Sequence, residues 1–370
     1  MKQDLLYQIA LGLIPGVGTL ISKSLTEYFG SAERALNATN NSLETISGGR
    51  KSLSNALKQN KDLALKRAEQ EIKFINKHKI NTLFYQDDDY PPRLKSCDDS
   101  PYLLYYKGNV NLNPEKVIAI VGSRKCTEYG LRVTAQLIHD LKTLNVLIVS
   151  GLAYGIDIEA HRCCLEHNID TAAVLGHGLD RIYPAAHRNT AEQLLRQGAL
   201  LTEFITETSP DKENFPKRNR IVAGLCDATI VIESGEKGGS LITADIAHSY
   251  SREVFAYPGR SIDKYSAGCN QLLKSQKAIL IENAQDLLAQ MNWAPSKQQT
   301  QLSFADLSEH EERVKNILTT SAFVNIETLA ALSKIALLPL KNILFEMEMK
   351  NYIKTLPGNR VQWIATQISA

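Results

Sequence analysis

The chain has 370 residues, a length that suits two or three domains better than one. Its composition, 44% hydrophobic and 22% charged, excludes wholesale disorder and collagen-like structure, and no apolar run approaches the roughly 18 residues of a membrane-spanning helix. Lys and Arg total 42 against 40 Asp and Glu, so the net charge of +2 does not announce a nucleic-acid partner, and such a partner has to be argued from local clusters.

The first residues, Met1-Lys2-Gln3-Asp4, turn amphipathic and not into a signal peptide. Six cysteines, at 97, 126, 163, 164, 226 and 269, form neither a CxxC pair nor a clustered Cys/His array. A reduced, cytoplasmic protein is expected, with no disulfide frame and no zinc or other metal site.

Residues 1–75 read as a helical domain. Leu5, Leu6, Ile9 and Leu13 recur at helical spacing, Ile14-Pro15-Gly16-Val17-Gly18 makes a turn, and a second apolar-periodic stretch follows around Ile21, Leu25 and Phe29. Helix, Pro-Gly-x-Gly turn and helix make the helix-hairpin-helix pattern, whose turn amides can face a DNA phosphate. A packing turn without a ligand is the favoured reading of the same residues. The stretch from Arg50 to Lys79 holds nine basic and three acidic residues, which reads as a solvated helix face.

Residues 76–292 have a regular rhythm. Short β-rich apolar runs at 117–121, 146–150, 172–175, 200–202, 229–232, 254–256 and 279–281 alternate with helical patterns such as 131–144, 156–167, 191–197 and 241–249. Strand, helix, strand at this spacing predicts right-handed βαβ units, and strands apolar on both faces predict a covered, mostly parallel sheet. The fold class is therefore α/β, a doubly wound Rossmann-like sheet whose ligand would lie beyond the carboxyl ends of the strands. A polar linker, 293–303, leads to residues 304–370, where three helices and a hairpin around Pro357-Gly358-Asn359-Arg360 predict a winged-helix domain. The third of those helices is rich in Leu and Met, which favours packing or protein contact over DNA.

Strand ends carry the candidate chemistry. Gly122-Ser123-Arg124-Lys125 follows the first parallel strand, with glycine for close backbone approach, a hydroxyl donor and a guanidinium fork for phosphate. It is neither a P-loop nor GxGxxG, so a nicotinamide cofactor is poorly supported. Ser150-Gly151-Leu152-Ala153-Tyr154-Gly155-Ile156-Asp157 ends the second strand, with Asp157 placed to cap a helix or order a neighbouring amide, and His161 beyond it reads as structural. Lys212-Glu-Asn-Phe215-Pro216-Lys217-Arg218-Asn219-Arg220 puts four cations and a ring within nine residues, the combination that single-stranded nucleic acid needs for phosphates and for base stacking. A helix start whose arginines pair with Glu203 or Glu207 fits it equally well. Gly238-Gly239-Ser240 opens a helix, where exposed amides suit an anion. Together these strand ends describe a long groove for a phosphate-bearing ligand.

The strings Val121-Gly122-Ser123-Arg124, Ser150 to Asp157, Phe215-Pro216-Lys217-Arg218-Asn219-Arg220-Ile221-Val222-Ala223-Gly224, Gly239-Ser240-Leu241-Ile242-Thr243-Ala244 and Arg252-Glu253-Val254-Phe255-Ala256-Tyr257-Pro258-Gly259 occur in order over roughly 80–290. In this the chain resembles the DNA-processing protein A family (DprA, also called Smf). The resemblance implies an extended Rossmann fold flanked by an N-terminal SAM/helix-hairpin-helix-like domain and a C-terminal winged helix. It implies a homodimer formed through the Rossmann domain. It implies a non-enzymatic binder of single-stranded DNA that protects incoming DNA and loads RecA recombinase onto it in natural transformation, with single-strand-binding protein a further partner and no cofactor. Carried over by motif, Arg124 is the main phosphate contact, Lys212 and Phe215 supply a phosphate contact and a stacking ring, and Gly122, Ser123, Gly239 and Ser240 lend amides and hydroxyls. Lys217, Arg218 and Arg220 join them as cations of the same string. Gly238 stands where the family has serine, as does Cys226, and Ser251 stands where it has glycine.

The rival class is an enzyme resembling nucleotide phosphoribohydrolases, which need a positioned carboxylate. Gly238-Gly239-Ser240-Leu241-Ile242-Thr243-Ala244-Asp245 is the nearest string, and Asp245 is its only candidate acid.

Overall fold

A computed structural model describes residues 2–39, 42–43, 51–293, 307–321, 323–350, 352–356 and 358–364. Arg50, Pro357 and, apart from Trp293, the expected linker lie outside the described residues. The chain divides into two compact units, 1–292 and 293–370.

The first unit is built on nine strands: β1 (Asn81–Phe84), β2 (Leu103–Gly108), β3 (Lys116–Val121), β4 (Val146–Ser150), β5 (Thr171–Val174), β6 (Ala199–Thr202), β7 (Ala228–Val231), β8 (Glu253–Ala256) and β9 (Ile279–Leu280). Their order is β1-β2-β6-β5-β4-β3-β7-β8-β9. The run from β6 to β9 is parallel, and β2 and β1 add to it antiparallel. All seven strands expected from the apolar runs are present. Every residue of β4, β5, β6 and β7 is buried, because helices cover both faces. The antiparallel pair β1–β2 lies outside the strand-helix rhythm and was not expected. From β3 the chain winds outward one way through β4, β5 and β6, and the other way through β7, β8 and β9. The crevice therefore opens between the carboxyl ends of β3 and β7, where the winding reverses.

Helices Lys2–Gly12, Thr19–Phe29, Ala32–Leu36 and Lys51–His78 precede the sheet, with the predicted turn between the first two. Their apolar residues, among them Ile9, Leu25, Leu57 and Ala68, join one core with those of the sheet. The long basic helix is also pinned by polar contacts. Thr206, in the loop after β6, donates its N–H and Oγ1 to the buried carboxylate of Glu71, while Arg67 donates to the Thr206 carbonyl at 2.7 Å.

In the second unit, helices Glu309–Leu318, Ile326–Ser333 and Leu337–Met349 pack on a sheet of β10 (Val324–Asn325), β11 (Ile353–Leu356) and β12 (Arg360–Trp363), ordered β10-β12-β11. Ser308 and Glu311 form a reciprocal capping box at the first helix. The third helix buries Leu340, Leu344 and Met347 and exposes Leu338, Phe345 and Met349.

Candidate nucleic-acid interface

A cavity of about 1320 Å³ runs along the carboxyl ends of the strands. Arg124, Lys125, Lys212, Lys237 and Lys264 line it, against the acids Asp211, Glu236 and Asp263 and a buried Arg218–Asp157 couple. A chain of net charge +2 thus concentrates positive charge locally, in the cleft where low-dielectric walls strengthen its field.

The Gly-Ser-Arg turn is held from both ends by one residue. Glu233, 2% exposed just beyond β7, accepts from the Ser123 amide through its carbonyl at 2.7 Å. Its carboxylate accepts from the Thr127 amide at 2.8 Å and the Thr127 hydroxyl at 2.6 Å. Gly155, at φ +78°, passes so close beneath this turn that a Cβ there would collide with the Ser123 carbonyl. Arg124 is exposed on the turn, its guanidinium 5.3 Å from the centroid of the Phe215 ring. Tyr183 stands on the same cavity wall, its ring 6.1 Å from that of Phe215 at an interplanar angle of 33°.

The serine groups expected to face a ligand are partly engaged elsewhere. The Ser123 amide serves Glu233, and its hydroxyl accepts from the Lys125 amide at 3.1 Å, keeping only its own proton to donate. Ser240 is buried, and its hydroxyl turns inward to Ser234 Oγ at 2.9 Å. What the helix Gly239–Ser249 offers the groove is its amino end. Gly238 is an N-cap without a side-chain bond, and the Leu241 amide turns back to the Gly238 carbonyl at 3.1 Å, so the amides of Gly239 and Ser240 are the ones open to an anion.

The basic string forms the helix Asn214–Leu225, and the helix divides it. Phe215, half-buried, looks into the groove, with Lys212 just before the helix. Arg218 is 4% exposed beneath the groove floor. It donates to the carbonyls of Gly151 and Val174 and, at 3.0 Å, to Asn219 Oδ1. Burial pushes its guanidinium down to about 10, and the neighbouring Asp157 charge opposes that shift. Burial likewise raises the Asp157 carboxyl, while Arg218 and the amides of Ala153 and Gly151 pull it back. Arg218 is therefore a brace for two strand ends, with its donors turned away from solvent. Arg220 donates to Glu203 and to the Asp99 carbonyl, and both it and Lys217 line a different hollow on the far side of the helix. Lys217 and Arg220 are thus not brought to the groove with Arg124, Lys212 and Phe215. Three groove residues had no part in the sequence reading: Lys237, which directly precedes the glycines of Gly238-Gly239-Ser240, and Tyr183 and Lys264, which carry no motif that reading used.

His161 is a core residue, as expected. It is fully buried, its Nδ1 is 2.8 Å from Thr171 Oγ1, and that hydroxyl donates onward to the Ile148 carbonyl. The imidazole therefore carries its proton on Nδ1, and Nε2 faces no acceptor. Burial lowers its pKa to about 3. Above the ordinary value near 6.5 both states are neutral; below it the unfolded chain takes up a proton that the folded one refuses. Stability should fall by about 1.4 kcal/mol per pH unit from this residue alone, between about 6.5 and about 3. Urea unfolding at pH 7 and pH 5 should show that loss, and His161→Asn, which keeps the Thr171 bond, should reduce it.

Asp245, the acid of the enzyme reading, does not line the groove; it pairs with Lys277 at 2.8 Å, both side chains about half exposed. Among the described residues no group of three or more His, Cys, Asp or Glu is placed to hold a metal ion. Among them, too, no single helix is long and apolar enough to cross a membrane.

The family model for DNA recombination-mediator protein A matches residues 81–292. The chain is 35% identical over 303 residues to protein Smf of Synechocystis, covering 80% of this chain and 74% of that one. It is 41% identical over 207 residues to DNA processing protein DprA of Streptococcus pneumoniae, covering 56% and 73%. Among solved structures, the Streptococcus pneumoniae DprA superposes with a TM-score of 0.63 at 34% identity, over 76% of this chain and 95% of that one. The DNA processing protein A of Helicobacter pylori, described for its unique single-stranded DNA binding mode, superposes with a TM-score of 0.53 at 30% identity, over 58% and 96%.

Proposed function

Because this chain belongs to the DNA recombination-mediator protein A family, that of the DprA and Smf proteins, we propose that its groove binds single-stranded DNA in the service of transformation and recombination. The observation that carries the reading is the pairing of Arg124 with Phe215, a guanidinium 5.3 Å from a ring that lines an open cavity. A strand needs both within one nucleotide's reach. The fork grips a phosphate, and the ring, with Tyr183 beside it, gives a base a flat apolar face. Lys212, Lys237 and Lys264 extend the positive path, and the amino end of the helix Gly239–Ser249 adds unpaired amides. Every base has a π-face, so such a site tolerates sequence and depends on salt.

The resemblance extends this reading. The bound strand would be protected and passed to a RecA recombinase, displacing single-strand-binding protein, by a homodimer joined through the Rossmann domain. Two grooves in one particle would hold one long strand with added avidity. The second unit, with three helices and a small antiparallel sheet, suits a winged helix, and its exposed Leu338, Phe345 and Met349 suit protein contact.

Fluorescence anisotropy with a labelled oligonucleotide of about 35 nucleotides, single- and double-stranded across a salt series, tests the groove. The wild type should prefer the single strand. Arg124→Glu should lose at least about tenfold in affinity, and Arg124→Ala should flatten the slope of log K against log salt by about 0.7. Phe215→Ala should lose about 1–3 kcal/mol with the slope unchanged. A wild type indifferent to single strands, or variants that bind as it does, would remove the site from consideration.

A further inference from the structure

We propose that Ile262, at the far end of the groove from Phe215, is a second base contact, against which a different nucleotide of the same strand lies. The proposal deepens the reading of the groove as a single-stranded DNA site and rests on it. Ile262 is 87% exposed, yet it lines the cavity together with Ser261, Asp263 and Lys264. It stands at a corner of the turn 260–263, which the Asp263 amide closes on the Arg260 carbonyl at 3.1 Å. Turn corners favour Gly, Pro, Asn, Asp and Ser, and an aliphatic side chain left in water there adds nothing to the fold.

The loop is anchored on both sides of that corner. The Gly259 amide donates to Asn270 Oδ1 at 3.2 Å, while Asn270 Nδ2 donates to the Gly259 carbonyl at 2.9 Å. The Tyr129 hydroxyl donates to the Pro258 carbonyl at 3.0 Å. On the other side the Tyr265 carbonyl accepts from the Ser234 amide at 2.7 Å, and the Ser266 amide donates to the Asp263 carbonyl at 3.0 Å. A loop tied in this way keeps the isoleucine at the rim of the cavity. A surface isoleucine standing alone needs no function. One fixed in the wall of a groove that also carries Lys237 and Lys264 offers an apolar contact in company with two phosphate partners.

The spacing assigns the two contacts to different bases. The Phe215 ring lies at the end of β5, since a Cβ on Gly176, just beyond that strand, would meet it at 3.1 Å. Ile262 belongs to the segment that leaves β8 and folds back to β7. In the order β5-β4-β3-β7-β8 these ends are three to four strand spacings apart, about 14–19 Å. One base cannot reach both. Arg124, beyond β3, and Lys237, beyond β7, line the groove along that span. The groove thus has a ring at one end, cations in the middle and an aliphatic face at the other. A strand laid across it puts its phosphates on the cations and turns separate bases onto the two apolar surfaces.

Ile262→Ser tests the contact without disturbing the fold, because the side chain stands almost wholly in solvent, and its thermal midpoint should not move. Affinities would be measured by fluorescence anisotropy for a strand of about 20 nucleotides and for an abasic strand of the same length, which keeps the phosphates and has no bases. On the normal strand Ile262→Ser should lose about fivefold, and Ile262→Leu should bind as the wild type does. The losses of Ile262→Ser and Phe215→Ala should multiply in the double variant, as contacts with separate bases do. On the abasic strand Ile262→Ser should match the wild type. Wild-type affinity of Ile262→Ser on the normal strand, an equal loss on the abasic one, or a double variant no weaker than Phe215→Ala would overturn the second contact. The groove reading survives any of these as long as Phe215→Ala is weakened on the normal strand. If Phe215→Ala also bound as the wild type does, both would fall.

Discussion

Arg218→Met should lower the stability of the first unit by about 2–5 kcal/mol, since two buried carbonyls lose their donor at about 1–3 kcal/mol each and the buried Asp157 loses its neighbouring positive charge. The methionine fills the volume but supplies no donors. The carbonyls of Gly151 and Val174 lose theirs, and Asp157, 7% exposed, is left with the amides of Ala153 and Gly151 and the more distant charge of Arg124 to hold it. Its carboxyl, already raised by burial, would rise further once the guanidinium is gone. The variant should therefore be weakest at neutral pH and recover as pH falls through that raised value, since the folded form then binds the proton more readily than the unfolded one. Urea unfolding at two pH values reads both effects. Adding Asp157→Asn should restore part of the loss, with a coupling of about 1 kcal/mol or more between the two positions. The folded fraction of Arg218→Met should still bind single-stranded DNA far better than Arg124→Glu does. If Arg218→Met instead kept its stability and lost DNA affinity as severely as Arg124→Glu, Arg218 would be a contact and not a brace.

Gly155→Ala should be damaging out of proportion to one methyl group. The residue sits at φ +78° and ψ −127°, a region that side chains avoid at a cost of about 1–3 kcal/mol. Its new Cβ would also be driven into the Ser123 carbonyl, backbone that is tied to Ile156 N and flanked by the Glu233 contacts. Either the turn carrying Arg124 moves or the start of the helix Ile156–Glu166 does. Thermal unfolding should show the lower stability, and anisotropy should show a loss of DNA affinity approaching that of Arg124→Glu although the arginine is still present. Gly239→Ala, where nothing lies within 4 Å of the new Cβ, is the matched control and should change stability little.

The parallel strands were legible because burial on both faces leaves runs such as Val117–Val121 and Val146–Ser150 with no polar residue to interrupt them until their ends. β1 and β2 were not, because an antiparallel pair added at the sheet's edge needs no intervening helix. In the site, Arg124, Lys212 and Phe215 could be named from their strings. The Lys-Arg-Asn-Arg run could not be apportioned from sequence alone, since adjacent residues on a helix point about 100° apart. Positions 215, 218, 219 and 222 share the groove side, and 217 and 220 face away. The inward turn of the Ser240 hydroxyl depends on Ser234, six residues earlier, and Lys264 reaches the groove only because its loop folds back over β7.

Glu233 gives the groove a thermodynamic character. With its carbonyl on Ser123 and its carboxylate on Thr127, the loop carrying Arg124 is already ordered before any strand arrives. The protein has little left to fold on binding, so the ordering falls on the DNA. Calorimetry should accordingly register a modest negative heat-capacity change, set by the stacked bases and not by coupled folding of the loop. Capture should approach the rates that electrostatic steering allows, and differences among strands should show in how long each one stays.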